Sequence, residues 1–479
     1  MDNALHKLAT DLLAAAPCSV EMPAGSGKTH LVAMVAEISA GREQRCLILT
    51  HTNAGVDAIK TRLRNFGVSP KFASVDTITS WAFKLVGAYP TIAGLSVTDV
   101  PDWTKSNHYL EGARKVALSK AVTLVHKLSF DYLVVDEYQD CTFTQHALIT
   151  ALNTSIPKAV IFGDQLQAIF GFQEPLANWT TDVLPNFPNY QVDPVPHRWR
   201  GQNEQLGDWL IDQRDHLVDG NIFDANAHSV TNLAFYQTGG AISLVSIAHS
   251  FRKDDESVLL LAVDRNRAAA FARQLNGAFV VIEDIGGRFM ESELKNLPKD
   301  GDNIMAYWLA QFAKKCLVGL GDINAAILMK LKANQKVSHL KRKGLAGVIE
   351  ALDTLRNDPT YSLLLETAKI IEATPGVSFL RHEAWRDSLR AIALSIDNEE
   401  SVVSNLGRIR NQLRKAGRRR NNRIAATTLL VKGLEYDHVI IADLSAYSDP
   451  RHLYVALSRA RKSVSIFGSN PKISLRITY

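Results

Sequence analysis

Up to about residue 170 the chain alternates short apolar runs with longer amphipathic runs, and this alternation constrains the fold more than any other feature. The apolar runs are CSVEM, RCLILT, FASVD, YLVVD and KAVIFGD, and segments of helical period such as LVAMVAEI and NAGVDAIKTRL lie between them. Short continuous apolar strands are typically buried on both faces, which a parallel sheet covered by helices provides. The sequence therefore predicts an α/β fold with a doubly wound parallel sheet.

A second rhythm of the same kind begins near residue 241 and is interrupted. Its runs are AISLVSI, VLLLAVDRN and AFVVIED, followed much later by DHVIIADL and SVSIFG. The long gap shows helical periodicity, no strand signal, and many Lys and Arg residues. We therefore predict two parallel-sheet domains and a helical insertion. The first domain covers 1–190 with a short insertion at about 88–125, the second covers 191–285 and 421–479, and the helical insertion covers 286–420.

Composition excludes several classes of protein. The 479 residues carry a net charge of +5, which permits a nucleic-acid partner without requiring one. The four cysteines are far apart and form no CxxC pair, so neither a disulfide framework nor a zinc knuckle is expected. The start MDNALHKLAT lacks a signal-peptide pattern, and no run approaches the roughly 18 apolar residues of a membrane span. We expect a cytoplasmic protein with no membrane partner.

The stretch PAGSGKT directly follows the first predicted strand and has the character of a phosphate-binding loop. Its small residues allow backbone N–H groups to fold around a phosphate, Lys28 supplies a cation, and Thr29 supplies a hydroxyl for Mg²⁺. Met22 stands where the usual pattern begins with glycine. The alternative is an ordinary Gly/Ser turn, which the strand before it and the helix after it disfavour. The predicted nucleotide-binding residues are Ala24, Gly25, Ser26, Gly27, Lys28 and Thr29.

The stretch YLVVDEYQD ends a buried strand in two adjacent carboxylates. Asp136 would lie where a phosphate-bound Mg²⁺ sits, and Glu137 would be free to orient or deprotonate an attacking water. Alone, such a pair is usually a solvated loop. Together with the phosphate loop it predicts a magnesium-dependent ATP site, with ATP and Mg²⁺ as cofactors.

Eight blocks in order resemble the motifs of UvrD/Rep/PcrA-like helicases of superfamily 1. The blocks are AGSGKT, LTHTNAGVDAIKTRL, VDTITSWAF, VVDEYQD, FGDQLQAIFGF, VPHRWRGQNEQLG, LLVKGLEYDHVI and LYVALSRAR. The resemblance runs from about residue 20 to 468. It implies two RecA-like domains, ATP hydrolysis, and movement along single-stranded DNA or a tailed duplex, usually from 3′ to 5′.

The resemblance also assigns residues on the ATP side. Gln167 matches the glutamine that senses the γ-phosphate, and Arg459 matches an arginine finger. Either Arg198 or Arg200 matches a second finger, and the alignment leaves both open. Glu435 resembles the acid that contacts the ribose. An arginine fork suits a phosphoryl group that gains charge in the transition state, whereas a lone surface arginine would be a weak ion pair.

On the DNA side the resemblance assigns backbone contacts to Thr52 and Asn53, and base stacking to Phe170 and Phe172, with Trp81 a further candidate. Stacking on an aromatic ring contributes roughly 1–3 kcal/mol per base whatever the sequence. The alternative for Trp81 and Phe172 is a place in the core. Two basic runs, at 330–343 and 408–423, would be phosphate-tracking surfaces or merely solvated faces.

Some features depart from the family pattern. No glutamine precedes the phosphate loop, so strict selectivity for ATP is not expected from the motif, and Leu429 stands where histidine is common. The small first-domain insertion and the short chain resemble the UvrD-like subunit of Gabija-type antiphage systems. This resemblance implies a nuclease as partner protein. We therefore expect an ATP-dependent helicase or translocase in antiphage defence or DNA repair. The alternative is a DNA-activated ATPase that regulates a partner nuclease without separating strands.

Overall fold

The computed structural model describes residues 2–97, 101–171, 174–220, 222–251, 255–284, 287–340, 344–398, 400–416 and 421–477. Contacts divide the chain into unit 1, which is Met1–Leu233, Tyr447–Ser463 and Lys472–Tyr479, and unit 2, which is Ala234–Ala446 and Val464–Pro471. This division differs from the predicted domain limits, because 191–233, 447–463 and 472–479 lie in unit 1. The limits read from the sequence stay a prediction.

The secondary structure follows the predicted alternation of strands and helices. The strands are β1 Cys18–Glu21, β2 Cys46–Thr50, β3 Ala73–Thr77, β4 Tyr132–Val135, β5 Ala159–Gly163, β6 Ile222–Asp224, β7 Leu233–Gln237, β8 Val258–Leu261, β9 Val280–Val281, β10 Leu317–Val318, β11 Ser378–Phe379, β12 Arg423–Ala426, β13 Tyr436–Ile441, β14 Ala460–Gly468 and β15 Lys472–Ser474. The α-helices are α1 Asp2–Ala15, α2 Lys28–Gly41, α3 Asn53–Asn65, α4 Ile78–Ala88, α5 Pro90–Ala93, α6 Ser106–Leu118, α7 Lys120–Ser129, α8 Phe143–Ser155, α9 Glu204–Val218, α10 Leu244–Ser250, α11 Arg265–Gln274, α12 Arg288–Lys295, α13 Met305–Cys316, α14 Ala325–Lys332, α15 Ala346–Asn357, α16 Tyr361–Ala373, α17 His382–Asn398, α18 Val402–Ala416 and α19 Pro450–Leu457.

Unit 1 contains a five-stranded sheet in the order β1-β5-β4-β2-β3, and every neighbouring pair in it is parallel. The three central strands are buried along their whole length, whereas the edge strand β3 alternates between buried and more exposed residues. Continuous apolar runs in the sequence thus correspond to strands with both faces covered, as parallel sheets require. The predicted doubly wound α/β sheet is confirmed.

Each face of this sheet packs into its own core, because successive side chains of a strand point to opposite faces. In β2, Cys46 and Ile48 join the core formed with α1, α2 and α3, while Leu47 and Leu49 join the core formed with α4, α6 and α8. The predicted insertion at about 88–125 contributes to the second of these cores. Its helix α6 buries Leu110, Ala113, Val116 and Ala117 against the sheet's own helices.

A second sheet has six strands in the order β7-β14-β13-β8-β12-β9, and its strands β8, β9, β12 and β13 lie wholly in unit 2. The β13–β8, β8–β12 and β12–β9 pairs are parallel. The helices α12 to α18 form the predicted helical insertion around a core that includes Trp308, Phe312 and Trp385 in stacked contact. Two details of the sequence prediction were wrong. The run AISLVSI lies mainly in the helix α10 rather than in a strand, and Ser243 caps this helix by accepting from the Ser246 N–H. The insertion includes a short antiparallel strand pair, β10 with β11, whose two-residue strands are too short to give a sequence signal.

The parallel order of the first sheet determines where functional side chains can gather. The phosphate loop follows β1, Thr52 follows β2, Asp136 follows β4 and Asp164 follows β5. Since parallel strands have their carboxyl ends at the same edge, these segments lie along one edge of the sheet of unit 1.

Candidate active site

The segment from Pro23 to Gly27 curls between β1 and α2. Gly25 has φ +72° and Gly27 has φ +90°, a region that residues with a side chain rarely adopt. A Cβ at Gly25 would also lie 2.6 Å from the Trp199 ring. The Lys28 side chain is buried, and its ammonium donates to the backbone carbonyls of Met22 at 2.7 Å and Pro23 at 3.2 Å. The loop therefore encloses a cation at the N-terminus of a 14-residue helix.

Asp136 lies at the end of β4 with only 2 % of its surface exposed. Its Oδ2 accepts a hydrogen bond from the Thr29 hydroxyl at 3.4 Å. Burial, together with the neighbouring Glu137 charge, raises the pKa of Asp136 to about 7, although Lys28 and Thr29 act in the opposite direction. Such a carboxylate is stabilised by a cation, and hydroxyl and carboxylate oxygens are the ligands that Mg²⁺ prefers.

These residues fit a magnesium ion that takes most of its ligands from phosphates and water. Within the described ranges no group of three or more His, Cys, Asp or Glu side chains is arranged to hold a metal. Mg²⁺ commonly uses one or two protein oxygens and completes its shell with substrate phosphates and water. Thr29 and Asp136 supply two such oxygens next to the loop that holds Lys28.

Glu137 adopts a backbone conformation that is rare for a residue with a side chain, with φ +59° and ψ +37°. Its carboxylate accepts a hydrogen bond from the Gln139 amide, and the Gln139 carbonyl oxygen accepts one from the backbone N–H of Asp164 at 2.9 Å. Non-glycine residues in this region cost free energy and occur most often at functional sites. Gln139 thus ties the acid pair after β4 to the segment after β5.

Asp164 is fully buried and connects the next two functional side chains. Its carboxylate accepts from the Gln167 amide at 2.7 Å and from the Arg214 guanidinium at 2.6 Å. The Gln167 carbonyl oxygen in turn accepts from Arg459 Nη2 at 3.2 Å. Arg459 is 1 % exposed and also donates to the Val455 carbonyl at 3.0 Å. Two predicted residues that are 292 positions apart are therefore in direct contact within unit 1.

The two candidate second fingers occupy different environments. Arg198 Nη1 donates to the backbone carbonyl of Ser458, the residue before Arg459. The neighbouring Trp199 is fully buried, and its indole N–H donates to the Ala460 carbonyl at 2.7 Å. Arg200 is exposed at the end of the short turn His197–Trp199. Arg198 therefore lies beside the segment that carries Arg459, and the choice of the second finger stays a prediction.

Comparison with known families tests the resemblance that the motifs indicate. Residues 6–173 match a family model described as an AAA domain. Residues 425–467 match the model of the UvrD-like helicase C-terminal domain. Both matches support a UvrD-like helicase of superfamily 1. The resemblance read from the eight sequence blocks is confirmed.

Individual relatives of this UvrD-like chain match only in part. The ATP-dependent DNA helicase Rep of Buchnera aphidicola subsp. Baizongia pistaciae is 25 % identical over 130 residues, which is 27 % of this chain and 18 % of that protein. The chain thus matches less than a fifth of the length of this curated relative. The alignment with the crystal structure of Pif1 helicase from Candida albicans covers 59 % of this chain and 55 % of the Pif1 chain. The sequence identity is 13 % and the TM-score is 0.34.

Several residues of the candidate site were missed by the sequence prediction. They are Gln139, Asp164, Arg214 and Tyr454. Two of them had a local signal: Asp164 follows a buried strand as Asp136 does, and Gln139 belongs to the same short block as Glu137. Arg214 and Tyr454 had none, because an arginine in an acid-rich helix and a tyrosine in an apolar helix are both common without any function.

The predicted DNA-contacting residues are distributed over unit 1. Thr52 is the N-cap of α3 and accepts from the Gly55 N–H at 3.0 Å, while Asn53 is exposed in the first turn. Trp81 packs against the core of unit 1 with its ring 5.7 Å from that of His126, and Phe170 is half-buried. These assignments stay predictions.

Other predicted positions lie elsewhere. Phe172 and the three arginines 418–420 of the second basic run lie outside the described residues. Glu435 belongs to unit 2, where it is exposed directly before β13. Among the residues that the structure covers, no helix is both long and apolar enough to cross a membrane.

Proposed function

We propose that this UvrD-like chain hydrolyses ATP in a magnesium-dependent reaction and couples hydrolysis to movement along single-stranded DNA. The observation that carries the proposal is one continuous series of hydrogen bonds from Glu137 through Gln139, Asp164 and Gln167 to Arg459. The series links the acid pair next to the phosphate loop to the arginine whose charge a phosphoryl transition state requires.

Each residue has a distinct role in this proposal. Lys28 and the loop amides bind the β- and γ-phosphates, and Thr29 and Asp136 hold Mg²⁺, which when bound neutralises charge that develops on the phosphates. Glu137 orients the attacking water and accepts its proton. Gln167 lies between Asp164 and Arg459, so it is positioned to respond to the γ-phosphate. Arg459 donates hydrogen bonds to the transferring group.

The basic test measures ATP hydrolysis with and without Mg²⁺ and with and without a single-stranded oligonucleotide. We expect turnover that requires Mg²⁺ and rises many-fold with DNA, because DNA-induced closure completes many such sites. Lys28→Ala is the inactive control. Wild-type protein that shows no hydrolysis under any of these conditions would contradict the proposed function.

A second candidate function is supported by the packing of α6. The predicted first-domain insertion contributes core residues to unit 1. In the helicases that this chain resembles, contacts with duplex DNA are usually made from larger insertions. The chain would then be a DNA-activated ATPase that regulates a partner nuclease without separating strands. Unwinding of 3′-tailed and 5′-tailed duplexes, measured beside ATP hydrolysis, distinguishes the candidates. Unwinding of the 3′-tailed duplex alone would support a 3′-to-5′ helicase.

We further propose a cytoplasmic role in antiphage defence or DNA repair, with a nuclease as partner. The short predicted insertion in the first domain and the widely spaced cysteines support this extension. Co-purification of the chain with the protein encoded by its neighbouring gene, followed by a nuclease assay of the complex, tests it. A neighbouring protein that neither binds nor cleaves DNA would count against the nuclease partner.

A further inference from the structure

The Arg214 side chain on α9 contacts three elements of the candidate site at once. It is 12 % exposed and donates to Glu21 Oε1 at 2.9 Å, to Asp164 Oδ1 at 2.6 Å and to the Tyr454 hydroxyl at 3.2 Å. Its guanidinium carbon also lies 5.3 Å from the centre of the Tyr454 ring. None of the helicase-like sequence blocks assigns this residue a role.

Each partner of Arg214 is next to a residue of the proposed hydrolysis site. Glu21 ends β1, directly before the segment that forms the phosphate loop. Asp164 accepts the hydrogen bond that orients Gln167. Tyr454 accepts from the backbone N–H of Ala24 at 3.0 Å, and it lies on the helix that leads to Arg459. One guanidinium thus connects the phosphate loop, the sensor segment and the arginine-finger segment.

The charges explain why an arginine is needed at this point. Asp164 has no exposed surface, and an unpaired buried carboxylate is strongly unfavourable. Although burial alone would raise the pKa of Asp164, the positive charges of Arg214 and Lys28 hold it below its ordinary value. Because Arg214 pairs directly with Asp164, Lys28 is not required as its counter-ion and stays available for phosphate. A planar fork with five donors can contact two carboxylates and a hydroxyl together, which an ammonium does less well.

We propose that Arg214 is a positioning residue for ATP hydrolysis, which holds Asp164 so that Gln167 meets Arg459, and holds Tyr454 against the phosphate loop. The proposal rests on the proposed function for its catalytic part. Its structural part, the support of the phosphate loop, is independent of any nucleotide. Arg214 itself reaches the reaction only through these partners.

The test compares Arg214→Gln, Arg214→Lys, Asp164→Asn and the Arg214→Gln/Asp164→Asn double variant with wild type. Arg64→Gln is the matched control, since Arg64 is an exposed arginine of unit 1 whose side chain donates to Thr61 on its own helix. ATP hydrolysis with saturating single-stranded DNA yields kcat and KM, and thermal unfolding reports whether each variant is folded.

In Arg214→Gln we expect kcat to fall by about 100-fold, the size of effect that a small misplacement of catalytic groups produces, with a much smaller change in KM. Arg214→Lys should recover about tenfold of this loss, because it keeps the charge that Asp164 requires but not the fork. The double variant should be no slower than the slower single variant, since both substitutions break the same connection. Arg64→Gln should behave as wild type.

Hydrogen exchange of the nucleotide-free protein provides a readout that does not depend on hydrolysis. In Arg214→Gln, peptides covering 22–29 and 164–168 should exchange about tenfold faster, as expected when a hydrogen bond that restrains them is lost. Unchanged exchange in both segments would overturn the proposal, even if the wild type proved to lack ATPase activity. The proposal would also be overturned if the losses of kcat in the two single variants added up fully in the double variant. The same holds if Arg214→Gln lost thermal stability while its kcat stayed unchanged. A wild type without ATPase activity but with the expected exchange changes would refute the proposed function and leave the support of the loop established.

Discussion

Replacing Arg459 by alanine tests the proposed hydrolysis step at the most deeply buried of its arginines. Arg459 is 1 % exposed. Its guanidinium donates to Gln167 at 3.2 Å, to the Val455 carbonyl at 3.0 Å and to the Ser458 hydroxyl at 3.0 Å. Its charge acts mainly when the phosphoryl group gains negative charge, so the loss should fall on kcat. A loss on the order of 10³-fold is expected for an arginine finger. At about 1.36 kcal/mol for each factor of ten, this equals about 4 kcal/mol.

The same substitution also lowers folding stability, and the two effects can be separated by their size. Removing the donor leaves the buried Gln167 carbonyl without that hydrogen bond, at a typical cost of about 1–3 kcal/mol. A domain with a free energy of unfolding of about 5–15 kcal/mol stays almost entirely folded after such a loss. Partial unfolding therefore cannot account for a thousandfold drop in turnover.

The assay is steady-state ATP hydrolysis over a range of ATP concentrations with saturating single-stranded DNA, with thermal unfolding measured in parallel. Arg64→Ala controls for the loss of an arginine from unit 1. A folded Arg459→Ala variant with kcat within about threefold of wild type would refute the reasoning, since even one transition-state hydrogen bond usually contributes more. A change confined to KM would also refute it, because that pattern indicates binding of the ground state alone.

Three further predictions follow from the geometry of the site. Glu137→Gln should bind ATP as wild type does yet hydrolyse it very slowly, because the amide keeps the shape of the side chain but cannot accept a proton from water. Steady-state ATP hydrolysis and binding of a fluorescent ATP analogue are measured in parallel, and near-normal hydrolysis would contradict the role of Glu137. Arg198→Ala should depress kcat much more than Arg200→Ala, because Arg198 bonds to the carbonyl of the residue before Arg459, and equal effects in a side-by-side ATPase assay would reject this choice of second finger. Gly25→Ala should weaken ATP binding and lower the melting temperature by several degrees. The left-handed backbone costs a residue with a side chain roughly 1 kcal/mol or more, and the new Cβ would lie 2.6 Å from the Trp199 ring. Calorimetry and an ATP titration measure the two effects, and a variant that matches wild type in both would contradict the prediction.

The sequence by itself determined the α/β class and the residue blocks of the proposed phosphate site, because both are local features. Short continuous apolar runs between turn signals are typical of strands covered on both faces, so CLILT and YLVV predicted central strands of a parallel sheet. Once the sheet is parallel, the loop ending in Lys28 and the acid pair at Asp136 must share one edge. The residues proposed for phosphate and magnesium stand in two short blocks, PAGSGKT and VVDEYQD.

The tertiary structure alone decided which distant side chains complete the site. Arg214 stands between two acids in the run DQRD, which resembles a solvated helix face, and only the packing of α9 brings it to Asp164 and Tyr454. Likewise Trp81, a candidate for stacking on bases, packs against His126 and the core. Whether a charge is buried and paired depends on which elements pack on its helix. That is a property of long-range packing, to which no local sequence pattern corresponds.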